Sequence, residues 1–152
     1  MKILIVEDDQ NKLAQLRSFI LQHTPSIFIE SCCSYRSALA RLLEEEPFDL
    51  ILLDMSMPTF DKSPSESGGR NRPFGGKDIL RKLKHKGVKT PVVVVTQFTH
   101  FGEGKSCISL DVLKQQLAEE GFENYQTTIF YNAQGTTWEV ELKHWLSHGG
   151  LK

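Results

Sequence analysis

The sequence has no long hydrophobic run and no excess of charge of either sign. Its 152 residues hold 18 Lys and Arg against 19 Asp and Glu, and the formal net charge is -1. Because the two signs are mixed along the chain, we expect no nucleic acid and no membrane surface among its partners. The apolar start, residues 1–6, turns acidic at Glu7 and is too short for a signal peptide or a membrane span. We therefore expect a cytoplasmic protein.

Cysteine is scarce as well, and the whole chain holds Cys32, Cys33 and Cys107. Sequence neighbours do not easily reach disulfide geometry, so we expect no bridge between Cys32 and Cys33. Reduced thiols suit a cytosolic protein. The sequence also lacks internal repeats and coiled-coil heptads, and its length fits one compact domain. We expect a single domain over residues 1–152, without an output domain.

Short β-type runs alternate with segments of helical periodicity along the chain. The predicted strands cover residues 2–6, 26–33, the run that ends at Asp54, 92–96 and 127–131. The predicted helices cover residues 10–22, about 35–43, a segment around Ile79 to Leu83, 110–121 and a last segment that opens near Thr136. This repeated β-α order predicts an α/β fold with a doubly wound five-stranded parallel sheet, since parallel neighbours need crossover connections.

The last predicted helix has a recognisable start and an apolar face. Thr136 and Glu139 have the spacing of a capping box, in which two side chains satisfy the free N–H groups of a helix start. Trp138, Leu142 and Trp145 form an apolar stripe. We assign this stripe to the core rather than to an interface.

Two long segments interrupt the pattern and hold little that a core would bury. Residues 59–75 are rich in serine, glycine, proline and charge, and residues 98–109 follow the fourth predicted strand. We interpret both as polar insertions. Long loops beside a site often carry function, so either insertion is a candidate lid or partner-binding surface.

Acidic residues follow two of the predicted strands, and a hydroxyl follows a third. Because the carboxyl ends of parallel strands share one edge of a sheet, we expect these side chains to meet. They are Glu7, Asp8, Asp9, Asp54 and Thr96. Clustered carboxylates repel one another, and Mg²⁺ with its oxygen ligands relieves that repulsion. With the metal bound, Asp54 is a candidate nucleophile toward a phosphoryl group, whereas the plainer alternative makes these acids solvated turn residues.

Three segments resemble the signature blocks of response-regulator receiver domains. They are KILIVEDD at residues 2–9, DLILLDMSMP at 49–58 and PVVVVT at 91–96. The resemblance implies a flavodoxin-like receiver architecture in which Asp54 accepts phosphate from the phosphohistidine of a histidine kinase. It also implies that Mg²⁺ is held by Glu7, Asp8, Asp54 and the Ser56 backbone carbonyl, and that Thr96 is the phosphoryl-binding switch. Asp9 falls outside the matched acidic pair.

The sequence departs from this family after the fifth predicted strand. The family has a lysine followed by proline there, and the ammonium pairs with the aspartate and then with the phosphoryl group. This chain has Asn132 there, within Tyr131-Asn132-Ala133, and a shifted register would place Thr128 there instead. Neither supplies a cation. The candidate substitute cations in the insertions are Arg70, Arg72 and Lys105, although we favour a solvated surface charge for each, because such residues are common on loops.

These observations leave three functional hypotheses. The first is a single-domain response regulator, not an enzyme, that takes a phosphoryl group from a histidine kinase or phosphotransfer protein and signals to a protein effector. The second is a degenerate receiver that is never phosphorylated and serves as a protein-binding module. The third is a Mg²⁺-dependent nuclease-type enzyme, although Ser56 stands where that chemistry needs a second aspartate. The resemblance further implies a possible homodimer through the C-terminal helices.

Overall fold

The computed structural model describes residues 1–44 and 47–149, so the predicted domain end at residue 152 lies outside the described residues. The strands are β1 (Lys2–Val6), β2 (Phe28–Cys32), β3 (Leu50–Leu53), β4 (Met57–Pro58), β5 (Asn71–Arg72), β6 (Val92–Thr96), β7 (His100–Phe101), β8 (Ile108–Ser109) and β9 (Tyr125–Phe130). The α-helices are α1 (Gln10–His23), α2 (Tyr35–Leu42), α3 (Gly75–Lys86), α4 (Leu110–Glu119) and α5 (Thr137–His144). A π-helical turn, Trp145–Gly149, follows α5. The described helices include none with the length and apolar character needed to cross a bilayer.

The central sheet has the strand order β2-β1-β3-β6-β9, and every neighbouring pair is parallel. This confirms the doubly wound five-stranded sheet and the flavodoxin-like class. The chain moves outward to β2 on one side of β1 and then returns to β3 on the other, so the direction of winding reverses between β1 and β3. Open α/β sheets bind ligands at the carboxyl ends of the strands beside such a reversal.

The helices cover both faces of the sheet and enclose one apolar cluster on each face. Side chains of α2, α3 and α4 pack in the first cluster, and side chains of α1 and α5 pack in the second. Residues of β3 alternate between them, with Leu50 and Leu52 on the α1 and α5 face and Ile51 and Leu53 on the other. A strand buried on both faces explains why this run is apolar without interruption.

A small antiparallel pair of strands holds each insertion: β4, just before residue 59, pairs with β5 inside the first, and β7 and β8 both lie inside the second. β4 pairs with β5, and the Arg36 backbone N–H donates a 3.0 Å hydrogen bond to the carbonyl of Thr59 in the same insertion. β7 pairs with β8, and Phe101 of β7 is buried in the core beside Phe74, with ring centroids 6.4 Å apart. The expectation that residues 98–109 form a loop was therefore wrong, because an aromatic side chain anchors this segment.

Of the two predictions made for the last helix, the apolar stripe is confirmed and the capping box is not. Trp138 and Leu142 are buried in the second cluster and Trp145 packs against it, which confirms the stripe as core. The capping box was wrong, because the side chain of Thr136 makes no capping hydrogen bond to α5. Its backbone has φ -122° and ψ 0°, outside the extended conformation from which a capping side chain reaches the helix.

Candidate functional site

Two carboxylates are placed side by side by the ladders of neighbouring strands. The Asp54 N–H donates to the carbonyl of Val6 at 3.0 Å, which sets Asp54 next to Glu7 at the carboxyl edge of the sheet. Strand alternation then decides their direction. Since Ile5 and Leu52 face α1 and α5, Glu7 and Asp54 continue toward that same face.

Glu7, Asp8 and Asp54 form an acidic cluster at the winding reversal between β1 and β3. Each offers one carboxylate oxygen, and these atoms all lie within 4.8 Å of one another. Asp9 has a different task, because its Oδ1 accepts hydrogen bonds from the backbone N–H groups of Asn11 and Lys12 and caps α1. The structure thus brings together three of the predicted metal ligands and leaves Asp9 as a neighbour.

A buried lysine from α1 lies against this cluster. The Lys12 side chain is 1% exposed, and its Nζ forms an ion pair with Glu7 Oε1 and lies 3.5 Å from Asp54 Oδ1. The same Nζ donates a 2.8 Å hydrogen bond to the carbonyl of Val95. Lys12 was not among the site residues predicted from the sequence. Its signal was helical spacing, since Lys12 stands four and eight residues before the buried Leu16 and Ile20.

Burial and mutual repulsion control the protonation of the acidic pair. Burial, followed by the repulsion from Asp54, raises the pKa of Glu7 to about 8, although the Lys12 ammonium opposes this shift. Burial also raises the pKa of Asp54, and Lys12 is again the main opposing influence. The Lys12 ammonium therefore favours the charged form of both carboxyl groups.

Backbone contacts fix the turn that carries Asp54. The Met55 N–H donates to Asp54 Oδ1 at 2.8 Å, and the Gly76 N–H donates to the carbonyl of Met55 at 2.9 Å. A β-carbon on Gly76 would lie 2.5 Å from the Asp54 carbonyl oxygen. Only glycine therefore lets the start of α3 approach the Asp54 turn this closely.

Thr96 and Tyr131 complete the site on the side away from Asp8. Thr96 is fully buried at the end of β6, and its Oγ1 accepts a 3.3 Å hydrogen bond from the Phe98 N–H. The Tyr131 N–H donates to the Thr96 carbonyl at 2.8 Å. Tyr131 is buried, and the Lys12 Nζ lies 5.8 Å from the centre of its ring. Burial raises the pKa of its phenol.

Asn132, the predicted position of the missing lysine, lines a cavity with Lys12 and Tyr131 but supplies no charge. Its side chain is exposed, and its Oδ1 accepts a 3.0 Å hydrogen bond from the Gln134 N–H within a local turn. Thr128, the alternative position, is buried and shares a 2.6 Å hydrogen bond with the hydroxyl of Tyr125. The side chain after β9 whose ring faces the Lys12 ammonium is Tyr131.

The cations predicted from the insertions lie elsewhere. Arg70 and Lys105 are exposed, and Arg72 stacks over the Tyr35 ring at 4.1 Å and pairs with Asp78 at 3.9 Å. Among the described residues, none of the three is ion-paired with the acidic cluster, whereas Lys12 is.

The first insertion nevertheless contacts the rim of the site. Lys62 Nζ lies 4.0 Å from Asp8 Oδ2, although the Lys62 side chain is exposed. Ser56, the predicted carbonyl ligand, accepts a 3.1 Å hydrogen bond on its hydroxyl from Asn71 of β5. The hairpin is thus tied to the turn after Asp54, and the ligand role of Ser56 stays a prediction.

Comparison with known proteins agrees with this geometry. A family model for the response regulator receiver domain matches residues 3–115. The chain belongs to the response regulator receiver family. This receiver is 32% identical over 143 residues to the Detocs response regulatory protein DtcB of Enterobacter cloacae, covering 93% of this chain and 95% of that protein. It is also 29% identical over 147 residues to the protein y4jR of Sinorhizobium fredii, covering 95% of each.

Solved structures share the fold of this receiver. The phosphorylated cyanobacterial phytochrome response regulator RcpA has a TM-score of 0.64 at 20% identity and covers 96% of this chain and 94% of its own. The receiver domain of the sensor histidine kinase PA1611 from Pseudomonas aeruginosa, with magnesium coordinated in its active site cleft, has a TM-score of 0.60 at 15% identity, covering 96% and 93%. At these identities the likeness concerns the fold alone. The family match favours the receiver hypothesis over the nuclease-type alternative.

The donor set of the acidic cluster suits a divalent cation. Three carboxylate oxygens from Glu7, Asp8 and Asp54 converge, and hard oxygen donors are the ligands that Mg²⁺ prefers. Burial keeps the pKa of Glu7 raised despite the Lys12 ammonium, and repulsion from Asp54 adds to this shift. A bound divalent cation would favour the ionised form of these carboxyl groups.

Proposed function

We propose that this receiver is a phosphorylation-dependent signalling module in which Asp54 accepts the phosphoryl group. The observation that carries the proposal is the place of Asp54 in a buried group of acids with a cation beside it. Its side chain is 2% exposed, and a carboxylate oxygen of Asp54 lies within 4.8 Å of one from Glu7 and one from Asp8. The Lys12 ammonium, which also pairs with Glu7, lies 3.5 Å from Asp54 Oδ1. A carboxylate so placed has both a metal-binding side and a positive group for the incoming charge.

The proposed reaction transfers a phosphoryl group from nitrogen to oxygen. An Asp54 carboxylate oxygen forms the new bond to phosphorus while the phosphorus–nitrogen bond of a phosphohistidine breaks. The electron pair of that bond returns to the imidazole nitrogen, which takes up a proton. Attack requires ionised Asp54, and the ammonium of Lys12 favours that form against the effect of burial.

Mg²⁺ is the proposed cofactor, with Glu7, Asp8 and Asp54 as its carboxylate ligands and the Ser56 carbonyl as a further one. When bound, it supplies positive charge that offsets the negative charge of the phosphoryl oxygens. The Thr96 hydroxyl gives up its bond to the Phe98 N–H and donates to the phosphoryl group instead. That exchange is the proposed switch, because it alters the segment after β6.

The proposed partners are a histidine kinase or phosphotransfer protein as donor and a protein effector as target. The DtcB relative is named a response regulatory protein, in keeping with such a role. We propose no catalytic turnover, since the phosphoryl group ends on the protein itself. Val112 of α4 and Val140 of α5 are exposed, and they support a homodimer contact through these helices.

Intact-mass measurement after incubation with phosphoramidate or acetyl phosphate tests the proposal. We expect the mass of one phosphoryl group to be added in the presence of Mg²⁺ and not in the presence of EDTA. Asp54→Asn should abolish the adduct. Asp111→Asn, on the exposed start of α4, is the matched control and should be labelled like the natural protein. A wild-type protein that never gains the adduct, or an Asp54→Asn variant that still does, would contradict the proposal.

The second candidate function is a protein-binding module that works without phosphate. It is favoured by the Lys12–Glu7 ion pair, which partly neutralises the acidic cluster without metal. In that case beryllofluoride and Mg²⁺, which together mimic a phosphorylated aspartate, should leave the amide NMR spectrum unchanged.

A further inference from the structure

The Lys12 ammonium is buried inside the site. Its three polar contacts are the Glu7 carboxylate, Asp54 Oδ1 at 3.5 Å and the Val95 carbonyl at 2.8 Å, and its fourth neighbour is the Tyr131 ring. A buried ammonium requires such partners, because an unpaired charge away from water is costly. Lys12 therefore belongs to the site rather than to the surface.

Helix α1 holds this side chain in place from its base. The Lys12 N–H donates to Asp9 Oδ1 at 3.1 Å, so the residue lies in the capped first turn. Leu13 and Leu16 nearby are buried against the sheet. The first turn consequently cannot rotate without exposing apolar side chains, and the ammonium reaches Asp54 from a rigid element.

Tyr131 fills the space that follows β9. Its ring packs against Trp138, with centroids 5.1 Å apart, and its hydroxyl donates a hydrogen bond to Gln15 Oε1 on α1. A phenol ring cannot supply positive charge, but its face attracts a cation. The ring of Tyr131 thus supports an ammonium that comes from α1 instead of from the strand.

We propose that Lys12 is the phosphoryl-binding cation of this receiver, supplied by the first helix in place of the lysine that the family carries after its last strand. The inference rests on the proposed function of Asp54. A phosphoryl group on Asp54 adds about 1.5 to 2 negative charges, and an ammonium 3.5 Å from Asp54 Oδ1 is placed to bind the added oxygens.

The same contacts also link Lys12 to metal binding. In the structure its ammonium is paired with Glu7, one of the proposed metal ligands. A cation at Glu7 and a divalent metal nearby repel each other, so Lys12 weakens metal binding before phosphorylation. After phosphorylation the ammonium moves from Glu7 toward the phosphoryl oxygens. Metal binding and phosphoryl transfer therefore respond to loss of Lys12 in opposite directions.

Lys12→Met tests the proposal, since methionine keeps an unbranched chain of similar length without the charge. We expect phosphoramidate-dependent labelling to slow about 100-fold, the cost of losing one fixed stabilising group. We expect Mg²⁺ affinity, measured by calorimetric titration, to rise about threefold, because the positive charge of Lys12 no longer repels the metal. Misfolding alone would weaken both. Lys82→Met, at an exposed position of α3, is the matched control.

Tyr131→Lys in the Lys12→Met background provides a rescue. It returns an amine to the end of β9, and we expect labelling to recover to within about tenfold of the natural rate. Should Lys12→Met fail to fold, the natural protein itself supplies the readout. In a spectrum of ¹⁵N-lysine-labelled protein, the Lys12 ammonium signal, assigned with Lys12→Arg, should shift when beryllofluoride and Mg²⁺ are added.

The outcomes separate this inference from the proposed function. If the natural protein is labelled on Asp54 and folded Lys12→Met is labelled equally fast, Lys12 does not bind the phosphoryl group and only this inference is overturned. An unchanged Lys12 ammonium signal in protein that binds beryllofluoride would have the same meaning. If the natural protein gains no label and binds no beryllofluoride, the function of Asp54 itself is overturned, and the inference with it.

Discussion

Asp54 lies between two sides of one site that reach it by different routes through the chain. Its acidic side, Glu7 and Asp8, follows directly from the end of β1. Its cationic side, Lys12 with Thr96 and Tyr131, comes from a helix, a strand and the segment after β9. The acidic side agrees with the family pattern residue by residue, and Thr96 agrees with it as well, whereas no lysine follows β9. In the inference drawn above, the positive charge is kept at the site although a different element supplies it.

The difference has a physical basis in what each side must do. Metal ligation needs several oxygens at short, defined spacings, and adjacent residues at a strand end supply them with little freedom to move elsewhere. A phosphoryl-binding cation needs only one ammonium within reach of the aspartate. A long side chain can supply it from more than one element, provided that its charge is paired when buried.

The largest expected effect comes from breaking the acidic side. Glu7→Gln should lower Mg²⁺ affinity about 100-fold, because one carboxylate ligand is lost from the cluster. Calorimetric titration with Mg²⁺ measures this, with Glu141→Gln on the exposed face of α5 as the matched control. Unchanged affinity would show that Glu7 is not a metal ligand and serves only as the ion-pair partner of Lys12. Glu7 would then belong to the cationic side of the site.

A pH titration of stability should show a smaller effect on the same side. Burial raises the pKa of Glu7 to about 8 in the folded protein without metal, against 4.5 in the unfolded chain, so between these values the folded state binds more protons than the unfolded state. The contribution of Glu7 protonation to the free energy of unfolding is therefore fully present below the pKa of Glu7 in the unfolded chain. It is lost as the pH rises through the pKa of Glu7 in the folded protein. We expect the melting temperature in EDTA to fall across this range.

Two changes should flatten that decline. Mg²⁺ favours the ionised cluster, and Glu7→Gln removes the titrating group. The assignment of this titration to Glu7 would be contradicted if the melting temperature of the natural protein stayed constant over this pH range, as that of Glu7→Gln does.

The smallest expected effects concern the cations of the insertions. Arg70→Ala and Lys105→Ala should each change the rate of phosphoramidate labelling by less than about twofold, because both side chains are exposed and screened by solvent. Intact-mass time courses compare the labelling rates of these two variants with that of Lys12→Met. A large loss in either variant, with Lys12→Met unaffected, would move the cationic side of the site to the insertions.

Much of this molecule could be predicted from patterns along the chain. The alternation of strands and helices, the reversal of winding and the meeting of Glu7, Asp8 and Asp54 all follow from short-range periodicity and from the shared edge of parallel strands. The stripe of Trp138 and Leu142 was also assigned correctly to the core. Each inference uses information carried by residues a few positions apart.

Local sequence patterns did not predict the strand pairing in the insertions or the cation beside Asp54. β7 and β8 pair where Phe101 is buried beside Phe74, and this contact joins segments that are distant in the sequence. Substitute cations were expected in the polar segments, because lysines and arginines usually lie in solvent. Lys12 stands on the apolar face of a helix, where a cation is not expected.

Residues near one another in the sequence were thus sufficient for the fold class, the phospho-acceptor candidate and the acidic ligands beside it. The identity of the cation depended on three-dimensional packing. Val95 and Tyr131 lie more than eighty residues beyond Lys12 in the chain, and together with Glu7 and Asp54 they surround its ammonium. A buried charge is stable only among such partners, and no local pattern brings them together.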